Sequence, residues 1–223
     1  MIVSAHQPDL LPYSGFWFKL ANSDFMDLRI WAQVTKSPGY QRRVRMRGEW
    51  ANVHLAHGQS LLAPINEVRI DNLATRTRLI TAILRRYEKA PFFAERAEAI
   101  CAAIQDQHSD LLWQFNLGLL VWVRDYLGIK TPFVISQPSV GAKTDGLLSY
   151  LTTAYPGITT YLSGPGAKKY MSDTTPFEEI GIKVEWSKHS AVTGDSIVSV
   201  LMDYEDPMEV IRNETHLDEE ELL

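Results

Sequence analysis

The chain of 223 residues predicts an α/β fold, a mainly parallel sheet with helical crossovers, and three observations lead there. A short β-branched run at the N-terminus halts at a proline and passes into a helical pattern. A long central stretch repeats its apolar residues at helical spacing. Beyond it, short apolar runs follow in the order β-α-β-loop-helix-β, which parallel pairing requires because a parallel strand can return only through a crossover.

Residues 1–5 read as the first strand, ended by His6-Gln7-Pro8, where proline lacks a backbone donor. Phe16, Trp17, Phe18 and Leu20 give residues 15–21 a helical pattern, and residues 25–31 follow as a second strand. Arg43 to Arg47 alternates cationic and apolar side chains, the period of a strand with one wet face. Gly48 turns that strand, and residues 50–56 supply its hairpin partner. Residues 67–70 read as one more short strand. Residues 74–126 read as three helices, the third unusually apolar and central; Pro91 starts the second and Gly128 ends the third. Residues 131–136 form a buried-strand pattern, 143–154 a helix, 159–162 a strand running into Ser163-Gly164-Pro165-Gly166, and 183–186 a last strand. The whole reads as a single α/β domain over 1–223, with an inserted basic β-hairpin, a three-helix layer at about 74–127 and an acidic tail from about 205.

Composition narrows the function classes. With 22 Lys+Arg against 27 Asp+Glu, the formal net charge is −5, the wrong balance for a dedicated nucleic-acid binder. The lone Cys101 excludes a disulfide framework or a multi-cysteine metal site, and it lies among apolar helical neighbours as inert packing. The first residues lack a basic region and apolar run, and no segment approaches the roughly 20 apolar residues of a membrane span. The expected setting is therefore cytoplasmic, away from membranes. The aromatic content would permit a homodimer surface.

Three clusters carry candidate chemistry. In the first, His6, Gln7 and Lys19 lie beyond the carboxyl end of a strand, where open α/β sheets place ligands. His6 would serve as acid/base, Gln7 would orient substrate or stabilise an oxyanion, and Lys19 would hold an anion, with Tyr13 beside them. The plainer alternative is a hydrogen-bonded turn with an ordinary surface lysine. In the second, Lys36, Arg42 and Arg43, with Arg45 and Arg47, offer forked donors to a carboxylate or phosphate, or simply form a solvated strand face. In the third, Ser163, Gly164 and Lys168 resemble a phosphate loop, although neither a Walker A nor a dinucleotide fingerprint is present. His189 follows a strand end as His6 does and is a secondary candidate. His54 and His57 match no metal spacing, and no Gly-x-Ser-x-Gly elbow occurs.

His6-Gln7-Pro8, Leu11-Pro12, Gly15-Phe16, Lys19 and Ser23-Asp24, with Tyr161-Leu162-Ser163-Gly164, Gly166 and Tyr170, resemble the WbqC-like family. The run from Arg85 to Phe93 resembles that family too, and the likeness extends to about Leu201. It implies surface-polysaccharide or natural-product biosynthesis, without fixing a reaction. The chain departs from the family pattern at three places. Ile30 and Trp31 stand where an acidic pair is usual, Gln41-Arg42 replaces Asn-Arg, and the stretch from Asp195 to Ser199 lacks a second acid.

The expected function is a small-molecule transferase that moves an acyl or aminoacyl group onto an amine or hydroxyl of an anionic precursor. A nucleotide or coenzyme A ester is compatible with the clusters, and no metal is called for. Two alternatives stand beside it. One is a non-catalytic binding or assembly subunit for a partner enzyme or carrier protein; the other is a nucleotide-dependent enzyme resembling nucleotidylyl transferases, though their His-x-x-His signature is absent.

Overall fold

A computed structural model describes residues 1–35, 37, 39–60, 63–135, 137–138, 143–169, 171, 173–189 and 193–212. Lys36, Ser136 and Tyr170, each part of a sequence reading above, lie outside the described residues, as does the acidic stretch 213–223.

Five parallel strands make the sheet: β1 (Ile2–His6), β2 (Phe25–Leu28), β5 (Phe133–Ile135), β6 (Thr160–Ser163) and β7 (Lys183–Trp186), in spatial order β5-β2-β1-β6-β7. A separate antiparallel hairpin pairs β3 (Arg43–Met46) with β4 (Glu49–Asn52). The chain steps outward from β1 to β2 and β5, then crosses back to β6 and on to β7. The order therefore reverses between β1 and β6, and the connections leaving these two strands diverge to opposite faces. Such a reversal opens a crevice at the carboxyl ends of the strands.

Alternation along the strands builds the two faces. Met26 and Leu28 point to one side, where helix α1 (Ser14–Ala21) packs with Phe16, Trp17 and Leu20. Helices α2 (Asn72–Tyr87), α3 (Phe93–Gln105), α4 (Leu112–Tyr126) and α7 (Ile197–Asp203) share that core with the hairpin. Val3 and Tyr161 point to the other side, against α5 (Lys143–Ala154) and Phe177 of α6 (Thr175–Glu178). Both cores consist of side chains almost wholly removed from water, each worth roughly 1.5–3 kcal/mol of transfer free energy.

Local chemistry explains the ends of the central helices. Asp71 caps α2 by accepting from the Ala74 backbone at 3.0 Å. Gly128, at φ +69°, closes α4: its N–H donates to Asp125 O at 3.1 Å while that of Ile129 reaches Arg124 O at 3.0 Å. Arg96 of α3, 7% exposed, donates to the carbonyls of Leu201, Tyr204 and Glu205 at the end of α7. A short helix, α8 (Pro207–Arg212), follows and buries Val210 and Ile211.

Three expectations need correction. The second strand stops at Leu28, because the Ile30 N–H turns back to Leu28 O at 3.0 Å. The strand expected over 67–70 is a single 3-10 turn, Ile65–Glu67, followed by isolated bridges from Arg69 to Leu111 and Ile70 to Leu55. Here the neighbours are single loop residues, so no ladder can propagate. β5 is only half-buried, as its place at the sheet edge dictates.

Candidate functional site

At the reversal between β1 and β6 lies a crevice of about 530 Å³, lined among others by His6, Gln7, Lys19, Arg29, Ser163 and Gly164. His6 closes β1 on the α1 face, with its ring edge-to-face against Phe16 at 5.1 Å. Nδ1 donates to Gln7 O at 3.0 Å, and Asp9 Oδ2 stands 3.5 Å from the same nitrogen. Nδ1 therefore carries the ring proton and leaves Nε2 as a lone-pair base. Among the described residues Nε2 has no hydrogen-bond partner, and the side chain is 25% exposed. Burial, and then the charge of Lys19, lowers its pKa to about 3, while the Gln7 carbonyl pulls the other way. The imidazole is neutral at pH 7.

Asp9, three residues on, is 4% exposed. Burial raises its carboxyl to about 7, opposed by the Gln41 amide and by Lys19. Gln41 Nε2 donates to Asp9 Oδ1 and to Gln7 Oε1, each at 2.7 Å. The Asn116 amide of α4 donates to Pro8 O and Gln41 O, also at 2.7 Å, tying the histidine loop to the segment before the hairpin. Gln7 is committed within this web: its Oε1 also accepts from Thr35 at 3.2 Å, and its Nε2 donates to Gln33 O at 3.2 Å. The glutamine thus positions the loop through these three bonds while its side chain still lines the crevice.

Lys19 rises from the last turn of α1 and is 4% exposed, yet Nζ has no hydrogen-bond or ion-pair partner among the described residues. Burial depresses its pKa to about 8, partly offset by Asp9. Nζ lies 4.0 Å from where a Cβ on Gly164 would sit, which places the ammonium beside the end of β6. An ammonium on a largely buried side chain with no ion-pair partner within contact is costly. It is also ready to receive an anion.

On the far rim Arg29 lies over the Tyr150 ring, 4.9 Å from its centroid. Beneath it, Asp27 of β2 accepts from Tyr150 and Tyr155, both at 2.6 Å, and its Oδ1 is buried without a hydrogen-bond partner. Burial raises the pKa of Asp27.

The structure gathers only part of the residue set expected from sequence. His6, Gln7, Lys19, Tyr13, Ser163 and Gly164 line one crevice. Arg42 and Arg43 do not line it: Arg43 stacks on Trp50 at 4.2 Å, and the Arg42 guanidinium packs beside Gly39. Arg47 pairs twice with Asp203 and Arg45 meets Asp195 at 3.5 Å, so the cationic strand faces other partners. Lys168 points away, over the Trp186 ring at 5.7 Å. His189 braces α1, with Nε2 2.8 Å from Ser14 Oγ and its ring stacked on Phe18. Asp9 and Arg29 are members that sequence reading missed. Asp9 sits in the same loop as His6, and a carboxylate three residues from a candidate base was the available signal. No group of three or more His, Cys, Asp or Glu able to hold a metal occurs among the described residues. Among them, no helix is long and apolar enough to cross a membrane.

The model of the WbqC-like protein family matches residues 7–193, a span running from the histidine loop past β7. No curated protein and no solved structure matches the chain.

Proposed function

Because the chain belongs to the WbqC-like protein family, we propose that it is a small-molecule transferase of polysaccharide or natural-product biosynthesis. It moves an acyl or aminoacyl group onto an amine or hydroxyl, and one of its substrates carries the phosphate or carboxylate that Lys19 and Arg29 receive. The observation that carries this reading is the meeting of a neutral imidazole and an unpaired ammonium in the crevice at the strand reversal.

His6 Nε2 takes the proton of the amine or hydroxyl as that atom bonds to the acyl carbon. The resulting imidazolium then returns the proton to the leaving group as its bond to carbon breaks. The Gln7 carbonyl, accepting from Nδ1, holds the ring in the tautomer that leaves Nε2 free, and Asp9, 3.5 Å from the same nitrogen, steadies the imidazolium when it is ionised. Lys19 balances the negative charge at the anionic end of the substrate.

A thermal-shift screen with nucleotides, coenzyme A esters, amino acids and nucleotide sugars tests the site. Stabilisation by an anionic member, abolished in Lys19→Met, supports the reading; absence of any shift in the wild type counts against it.

A second reading, an assembly subunit for a partner enzyme or carrier domain, draws on a different surface. Helix α2 carries Arg76, Arg78, Arg85 and Arg86 with no carboxylate of its own, and a groove beside it is walled by Trp50 and by Glu49, which pairs with Arg86 at 3.0 Å. That face would attract an acidic partner, with binding that weakens steeply in salt.

A further inference from the structure

One corner of the crevice gathers donors that the protein leaves unused. β1 and β6 run parallel, with Ser4 opposite Leu162. Two residues further along, His6 comes opposite Gly164, and neighbouring strands stand only about 4.8 Å apart. The Lys19 ammonium reaches the same point from α1, 4.0 Å from where a Cβ on Gly164 would sit. Beyond burial, it is the charge of Lys19 that lowers the proton affinity of His6, so the two groups stand within electrostatic reach. Ser163 ends β6 two residues after Tyr161 and therefore turns to the opposite face of the sheet, that of α5. It lines the crevice, is 4% exposed, and its hydroxyl has no hydrogen-bond partner among the described residues.

These donors suit one kind of anion. An ammonium is a point charge with three donors, and the hydroxyl adds a fourth from another direction. Neither presents the flat fork that grips a carboxylate by two parallel bonds, whereas the three outer oxygens of a phosphate use scattered donors well. The forked group of the crevice, Arg29, lies over the Tyr150 ring on the far rim. Position narrows the choice further. An anion at this corner lies one strand away from the imidazole, so the atoms that react stand within a bond or two of it. A coenzyme A thioester fails this condition, because a long arm separates its phosphates from its carbonyl. An acyl phosphate meets it, because a single bridging oxygen joins phosphorus to the carbonyl carbon.

We propose that Lys19, Ser163 and the space beside Gly164 form a phosphate subsite, and that the donor of the transferred group is an acyl phosphate whose phosphate sits there. The assignment rests on the transferase reading and specifies its donor. The nitrogen or oxygen of the acceptor bonds to the carbonyl carbon, the bond from that carbon to the bridging oxygen breaks, and its electron pair leaves with the phosphate. The proton lost by the acceptor passes to His6 Nε2 and on to the departing phosphate. Lys19 balances the phosphate charge throughout. At about 530 Å³ the crevice falls within the range that encloses a whole small ligand, about 300–1,000 Å³, so the acyl group has room beyond the phosphate.

Two stable ligands test the subsite by ligand-observed NMR titration of the full chain. Acetonylphosphonate carries a methylene in place of the bridging oxygen of acetyl phosphate, and levulinate is a keto carboxylate of similar size. The phosphonate is expected to bind at least about tenfold more tightly than levulinate, and to lose about tenfold or more in Lys19→Met, Ser163→Ala and Gly164→Val. The valine intrudes on the subsite alone, since Lys19 Nζ is the one atom found within 4 Å of its Cβ and the backbone there is not left-handed. With glycinamide as acceptor, N-acetylglycinamide is expected to form from acetyl phosphate at least about 100-fold faster with the wild type than with His6→Ala. Equal binding of the two ligands, or phosphonate binding unchanged in either Ser163→Ala or Gly164→Val, would overturn the phosphate subsite and leave the anion crevice standing. Binding of neither ligand, or binding unchanged in Lys19→Met, would overturn the crevice and the subsite together. Product that depends on His6 but forms from acetyl-coenzyme A instead of acetyl phosphate would overturn the donor and keep the transferase reading. Product from neither donor would overturn both.

Discussion

His6 Nδ1 and Asp9 Oδ2 stand 3.5 Å apart on one loop, and burial drives their proton affinities in opposite directions. The carboxyl, raised to about 7, holds its proton more tightly than the imidazole, lowered to about 3. Pairs of titratable groups pushed apart in this way are the usual material of acid and base roles.

Removing the imidazole tests its role directly. His6→Ala should lower turnover by at least about 100-fold, the lower range for a general base. Its urea unfolding at pH 7 should remain cooperative, because the side chain is partly exposed and outside both hydrophobic cores. Wild-type turnover in the variant would remove His6 from the chemistry.

The pair should also show itself in acid stability. Asp9 has its pKa raised, so its contribution is complete below the ordinary 3.8 and is lost as pH rises through about 7. His6 has its pKa lowered, so its contribution is present above the ordinary 6.5 and is lost as pH falls toward about 3. Between about pH 4.5 and 6.5 the two oppose each other. Relative to wild type, Asp9→Asn should lose stability on acidification and His6→Gln should gain it, each by up to about 1.4 kcal/mol per pH unit. Urea titrations at several pH values measure both slopes, and slopes of one sign in both variants would contradict the assignment.

Lys19→Met exchanges a buried, unpaired ammonium for an apolar chain of similar length. At pH 7 the folded chain bears the cost of that charge, since burial lowers its pKa from 10.5 to about 8. The variant should therefore be more stable by about 1–3 kcal/mol while losing anion binding. A variant both less stable and still able to bind anions would show that the ammonium has a counter-charge in solution.

Arg96→Met should act on the fold alone. It strips three carbonyls near the end of α7 of a buried donor, and loss of about 2–4 kcal/mol in urea unfolding is expected. Ligand binding at the crevice should persist below the unfolding transition.

Local signals carried much of this architecture. The alternation at Arg43 to Met46 marked the hairpin, Gly128 marked the end of α4, and Lys183–Trp186 was bounded correctly by its neighbours. That His6, Lys19 and Gly164 meet in one crevice was legible because strand ends and glycine turns gather at that edge of a parallel sheet. Partner choice was not legible. Arg43 stacks on Trp50 and Arg47 binds Asp203, 156 residues away, and a periodic pattern cannot report either. Asp9 escaped notice because its importance comes from burial, which depends on Gln41 and on α4 folding over it.

The two banks of the crevice are synthesised far apart in time. β1 pairs with β6 through Ile2 and Thr160, so the histidine loop leaves the ribosome long before the strand bearing Ser163 exists. Until that late strand docks, the first one has a raw flank, and an anion has nothing to lodge in. Under the proposed function, capture of an anion would report that the sheet has closed, and a fragment ending before Thr160 should bind none.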